Sequence, residues 1–310
     1  MSSSSSTNEH WRQDVKIDDI PPEGQKLLRD YAGLKQDEIL PHIENIRKKG
    51  YAIAPYACIS AIRFLGDRWS KIPYGPRFLA RLKSDANITF LDVGCGFGQE
   101  LRFLITEHGV HPSQLFGFDL EPGLIDVGYE LFRDGDGGKA GTGDNSSAGA
   151  DAGTGAMTMF GANIFDDDSD ADNNNNKANT NLDTIRGKMD MIQASHVLHM
   201  FDYDQQFDAA RRLIGLAKPT PGSMIAGSQV GSRNPGSYVF DIDLAPTRSH
   251  YRHDERTMRE FWTKLGHETG SAWDVQCGEI HNKTVEESRG TKFAQGDQGM
   301  MIIWFCATRV

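Results

Sequence analysis

Residues 90–100 read FLDVGCGFGQE, with Gly94, Gly96 and Gly98 at alternate positions two residues after Asp92. A strand that runs through glycines into a helix brings bare backbone against a ligand, and glycine makes the turn without steric penalty. The next apolar run, LFGFDL at 115–120, ends in Asp119 and Leu120. An acid at that strand end can accept hydrogen bonds from both hydroxyls of a ribose. The G-x-G-x-G spacing departs from the G-x-G-x-x-G of dinucleotide sites, so an adenosine without a pyrophosphate is the expected ligand. Asp92 then either orients the loop or meets an ammonium group. His196 and His199, three apart beyond the fourth expected strand, read as general base or substrate anchor, or as structural histidines. Tyr56 and Tyr251, with Tyr74 and Trp262, are candidates for an apolar substrate pocket, against the alternative of plain core.

These residues need elements to hold them. Strands are expected at 88–93, 115–120, 157–165, 189–195 and 223–231, alternating with helices at 99–109, 122–132, from about 196 to 216 and at 256–270. That β-α alternation predicts a parallel, doubly wound sheet. Two further strands, 273–280 and 300–310, are separated only by a polar, glycine-rich connection, so they should pair antiparallel. The fold class is thus α/β, a Rossmann-like seven-stranded sheet, mostly parallel, with an antiparallel last strand and an N-terminal helical layer. The layer, 21–85, is read from helical spacing at Ile39, Leu40, Ile43 and Ile46, at Cys58, Ile59, Ile62 and Leu65, and at Phe78, Leu79 and Leu82. It should act as a lid over a core of residues 86–310. Residues 1–20 are expected to form a disordered tail, and low-complexity stretches 134–156 and 166–181 are expected as solvated loops.

Composition narrows the function classes. The chain has 310 residues, 38% hydrophobic and 25% charged, enough for one large core. The net charge of −10 is concentrated: residues 134–181 hold nine Asp and two Lys, or −7. No basic stripe tracks a phosphate backbone, so nucleic acid is not an expected partner. No apolar run is long enough to span a bilayer. The four cysteines, Cys58, Cys95, Cys277 and Cys306, are too widely spaced for a C-x-x-C pattern and read as reduced thiols. A cytoplasmic enzyme with a small-molecule substrate is the expectation, with a homodimer left open.

LDVGCGFG together with GFDLEP resembles the cofactor site of the class I S-adenosylmethionine-dependent methyltransferases, in element order over 88–310. A narrower resemblance, to the methyltransferases of fungal meroterpenoid and related secondary-metabolite pathways, is carried by GYAIAPYACISAIRFL (50–65), DLEPGLIDVGYELFRD, GANIFD and SHVLHMFDYDQQ. It implies S-adenosylmethionine as cofactor at Asp92, Gly94, Gly96, Gly98 and Asp119, and methyl transfer to a carboxyl or hydroxyl group of a small natural product. Where that family reads A-D-I-F-D, this chain has Asn163, whose amide oxygen can still accept an adenine amino proton. A carboxylate acceptor needs no base, a phenol of pKa about 10 gains from one, and no metal is required. The rival readings are a nucleotide-binding oxidoreductase and a catalytically silent binding module.

Overall fold

The computed structural model describes residues 15–135, 156–166, 181–240, 248–291 and 294–310. Four helices come first: α1 (Pro22–Asp30), α2 (Gln36–Ile53), α3 (Ala57–Ser60) and α4 (Gly75–Ser84). The core follows as β1 (Phe90–Val93), α5 (Gln99–Thr106), β2 (Leu115–Asp119), α6 (Pro122–Phe132), β3 (Thr158–Gly161), α7 (Asn181–Ile185), β4 (Met191–Gln193), α8 (Tyr203–Leu216) and β5 (Met224–Ser232). A hairpin of β6 (Gly236–Phe240) and β7 (Arg248–Arg252) precedes α9 (Glu255–Thr269), β8 (Trp273–Ile280), α10 (Lys283–Glu287) and β9 (Met300–Arg309).

The main sheet has seven strands in the order β3-β2-β1-β4-β5-β9-β8. Pairings β3·β2, β2·β1, β1·β4 and β4·β5 are parallel, while β9 runs antiparallel to both β5 and β8. The expected mostly parallel sheet with a reversed last strand is therefore present. Successive residues of a strand face opposite sides. Phe90 accordingly joins a core shared with α1, α2, α4, α5 and α6, and Leu91 joins one shared with α7, α8 and α9. The result is three layers with the carboxyl ends of five parallel strands along one edge, where such sheets bind ligands.

The N-terminal helices do not rest on a finished core. Leu27, Leu28, Ile39, Ile43 and Ile46 are buried in the same cluster as Phe90, Leu101 and Phe103. Ile20 is buried there too, with Val15 and Ile17 packed against it, so the packed chain begins inside the stretch expected as tail. Residues 1–14, and the low-complexity stretches over 136–155 and 167–180, lie outside the described residues. Helix α2 runs through Gly50 to Ile53. A Cβ at Gly50 would stand 2.5 Å from the Phe97 ring, so this glycine lets the helix approach the glycine loop instead of ending it. The β6–β7 hairpin had no counterpart in the sequence reading. Its short, mixed polar strands lack a clear apolar alternation.

Candidate active site

The turn after β1 is pinned from several directions. Gly94, Gly96 and Gly98 all have positive φ, at 70°, 55° and 68°. At Gly98, which caps α5, a Cβ would come within 2.5 Å of Met159 Sδ and 2.7 Å of Arg102 Nη1, so the position is closed to larger residues. The amides of Gly94 and Cys95 donate to the Phe118 carbonyl at 2.8 and 3.0 Å. The Gly96 amide donates to Asp119 Oδ2 at 2.8 Å, and the Glu121 amide to Asp119 Oδ1 at 3.0 Å. Asp119 is thus already the clasp between the β1 and β2 turns. Each of its oxygens retains acceptor capacity for a ligand hydroxyl. Burial raises its pKa, and the two backbone donors oppose that rise.

Behind the loop lies Arg102, fully buried on α5. Its Nη1 donates to the carbonyls of Phe97 and Gly98 at 2.8 and 3.1 Å, and its Nε and Nη2 make a two-pronged pair with Asp134 at 2.7 and 2.8 Å. Tyr31 Oη, from the N-terminal layer, also donates to Asp134, at 2.8 Å. The guanidinium lies 4.4 Å from the centre of the Phe132 ring. Buried charge is tolerated only when paired and hydrogen-bonded in this way. Motif spacing alone does not pick out Arg102. Its signal was an arginine amid the apolar run LRFLI, four residues beyond Gly98.

Asp92 is buried at the end of β1, with Gln193 Nε2 donating to it at 3.4 Å. Dehydration, then the nearby Glu100 carboxylate, lifts its pKa well above the usual carboxylate range. Glu100 is itself raised to about 7, first by burial, against the pull of Arg68. Asn163 sits in the turn after β3, where Oδ1 accepts the Phe165 amide at 3.1 Å. One lone pair of that oxygen and the whole NH2 group remain for a ligand.

Across the sheet edge, Ser195 and His196 follow β4. His196 has φ 58°, a left-handed conformation uncommon outside glycine that clusters at functional positions. Its amide donates to the Ser228 carbonyl at 2.7 Å, which fixes the turn on β5. The His199 ring lies edge-on to it at 5.6 Å. Dehydration, followed by Arg68, His199 and Arg63, lowers the His196 pKa well below its usual value. His199 falls to about 4, by dehydration and then by His250 and Arg252. His199 Nδ1 is buried with no hydrogen-bond partner among the described residues. His196 and Tyr56 are exposed, yet both are dehydrated by surrounding protein and respond to charges from separate elements. That combination marks the walls of an open cleft.

Tyr56 borders this cleft near Asp119. Burial raises its pKa first, then Asp119 and Glu121, with Arg248 of β7 opposing. Tyr251 is not brought to the cleft. Its neighbours in β7 point the other way, and its ring lies 5.1 Å from Tyr203 and 4.8 Å from His253 on the α8–α9 side. Tyr74 is buried beneath the floor, its hydroxyl 3.2 Å from both Gln193 Oε1 and Ser195 Oγ. Trp262 is core, between Trp273 and Phe305. The hairpin is anchored by Arg252, which pairs with the buried Asp297 at 2.8 Å and donates from Nε to His250 Nε2 at 3.2 Å. An arginine only donates, so His250 carries its proton on Nδ1. Among the described residues no group of three or more His, Cys, Asp or Glu side chains could hold a metal.

Residues 11–65 match the family model described as the meroterpenoid methyltransferase N-terminal domain. Over 273 residues, 88% of the chain, the protein is 33% identical to the O-methyltransferase phiE of a fungal species, covering 80% of that relative. It is 30% identical to the Asnovolin E/Chermesin D methyltransferase nvfJ of Aspergillus novofumigatus, over 89% of this chain and 87% of that one. The chain belongs to the S-adenosylmethionine-dependent O-methyltransferases of fungal secondary metabolism. Among solved structures, the magnesium protoporphyrin IX methyltransferase of Synechocystis with bound S-adenosylhomocysteine aligns over 92% of this chain and all of its own, at 13% identity and a TM-score of 0.44.

The glycine turn of this methyltransferase fits the methyl donor on the structure's own terms. A Cβ at Gly96 would meet nothing within 4 Å, so the backbone there is open to the cleft. Asp119 and Asn163 keep unused acceptor capacity beside it. No helix among the described residues is long and apolar enough to cross a membrane.

Proposed function

We propose that this O-methyltransferase makes methyl esters, taking a carboxylate of its natural-product substrate as acceptor. The observation that carries the reading is the state of the two cleft histidines. A base of pKa about 4 is poorly matched to a phenol of pKa about 10. A carboxylate has no proton to remove, and a neutral imidazole can still donate one hydrogen bond to it. Arg63 acts on His196 and Arg252 on His199, so the acceptor side carries a positive field that suits an anion.

In this reading Asp119 receives the ribose hydroxyls, Gly94 to Gly98 lie against the nucleoside, and Asn163 meets the adenine edge. His196 and His199 hold the acceptor oxygens, with Tyr56 at the boundary between donor and acceptor. The donor supplies a methyl group on a sulfonium, which an acceptor oxygen takes while sulfur keeps the bonding electrons. The protein's contribution is to fix that approach and keep water out. Residues 56–68, which include α3, border the cleft on one side and the β6–β7 hairpin on the other.

The test is the chemistry of the product. With methyl-labelled donor and a metabolite extract, mild alkali should release the label as methanol. Label that survives alkali would indicate an ether and remove the carboxylate assignment.

A further inference from the structure

The donor half of the cleft holds an unbalanced cluster. Asp92 and Glu100 are each about 4% exposed, and burial, then the Glu100 carboxylate, hinders Asp92 from ionising. Glu100 Oε2 is buried without a hydrogen-bond partner among the described residues. The cation beside them is Arg68, whose Nε stands 3.4 Å from Glu100 Oε1, a loose ion pair. Arg68 comes from the loop between α3 and α4, and about a third of its side chain is open. No hydrogen bond from its guanidinium is formed among the described residues, so the fork is free to take a planar anion.

The position of this cluster follows from the sheet order. Strand β1 lies between β2, which ends in Asp119, and β4, which leads to His196. A donor with its ribose at Asp119 and its methyl group aimed toward His196 must lay its amino-acid arm over the end of β1. That arm is a zwitterion, with one ammonium and one carboxylate. Two carboxylates and one guanidinium are its complement.

We propose that Arg68, delivered by the N-terminal layer, is the seat of the donor's α-carboxylate, with the α-ammonium balancing the Asp92–Glu100 pair. The assignment rests on the ribose reading of Asp119. It makes the helical layer part of the donor site and not only a cover for the acceptor. Arg68 leaves a loose contact with Glu100 for a two-pronged contact with the ligand, and the ammonium relieves the acids it leaves.

Calorimetry on the full chain separates the roles. The probes are S-adenosylhomocysteine and its decarboxylated analogue, which keeps the nucleoside and the amine. The wild-type protein should prefer the intact ligand by about tenfold or more, the value of a charge-assisted contact. Arg68→Ala should abolish that preference while binding the decarboxylated analogue within about twofold of wild type. Arg68→Lys should retain part of it, and serves if the alanine variant does not fold. Equal weakening of both ligands, or an unchanged preference, overturns the proposal. Asp119→Ala should weaken both ligands alike, and its failure to do so would sink the ribose reading instead.

Discussion

The two sides of the cleft are built in opposite ways. The side proposed for the donor is almost continuous in sequence. Residues 92–100 and 119–121 supply the glycine turn, its clasp and three buried acids, and backbone amides hold the turn and Asp119. The acceptor side is assembled from Arg63, residues 195–199 and residues 248–252, which meet only in the folded chain. Its ionisable groups are histidines kept neutral and arginines. A ligand of fixed shape can be met by one short rigid segment, whereas an acceptor pocket is shaped by whichever distant elements border it.

The largest effects should come from the two buried arginines that brace these sides. Asp297→Ala leaves Arg252 buried without its counter-charge and should cost about 3–5 kcal/mol of stability by denaturant unfolding. Asp134→Ala should cost less, about 1–3 kcal/mol, because Asp134 is partly open where Asp297 is fully buried. The contrast is sharpened by binding. Asp134→Ala should weaken the donor, and Asp297→Ala should raise the acceptor KM. The reverse pattern would show that the braces do not belong to separate sides.

Next in size is Asp119→Ala. It loses charge-assisted bonds to the ligand and to the Gly96 amide, so donor affinity should fall by about 1.5–3 kcal/mol in calorimetry. The acceptor KM should stay within about threefold.

The two sides should also respond oppositely to pH. Glu100 has a folded pKa of about 7, above its ordinary value. Its stabilising contribution is therefore complete at low pH and lost as pH rises through about 7. His199, His250 and His253 have folded pKa values of about 4, below the ordinary 6.5. Their contribution is present above pH 6.5 and lost as pH falls through 4. Melting curves should show Glu100→Gln gaining on wild type between pH 5 and 8. His250→Gln should lose less than wild type on acidification from pH 6.5 to 4. Parallel wild-type and variant profiles would remove these titrations from the stability of the protein.

The smallest effect expected is at His199. As an anchor for a carboxylate it contributes a neutral hydrogen bond, so His199→Gln should raise the acceptor KM by about 2–12-fold. The kcat should change little, and no acidic limb should appear between pH 5 and 8. A hundredfold loss of kcat would make His199 the base after all.

The sequence alone determined the parallel sheet and the glycine turn, because both depend on short-range pattern. Apolar runs of strand length alternate with helical spacing, and the glycines with Asp119 announce a turn that few other residues can form. Asp92, Gly94, Gly96, Gly98 and Asp119 meet at one strand edge. The helical layer was legible as helices, but not as part of the core, since periodicity shows that a face is buried without showing against what. Tyr251 was misplaced as a pocket residue for a related reason. Its side of the hairpin depends on a strand register that 236–252 does not betray, and a shift of one residue exchanges the faces. Only the tertiary structure decided that Arg68 reaches Glu100, that Arg102 braces the glycine turn, and that His196 and His199 are dehydrated. Each of these depends on groups far apart in the chain. Burial and Coulomb interaction act through space, so the charge state of a residue is set by neighbours its local sequence does not name.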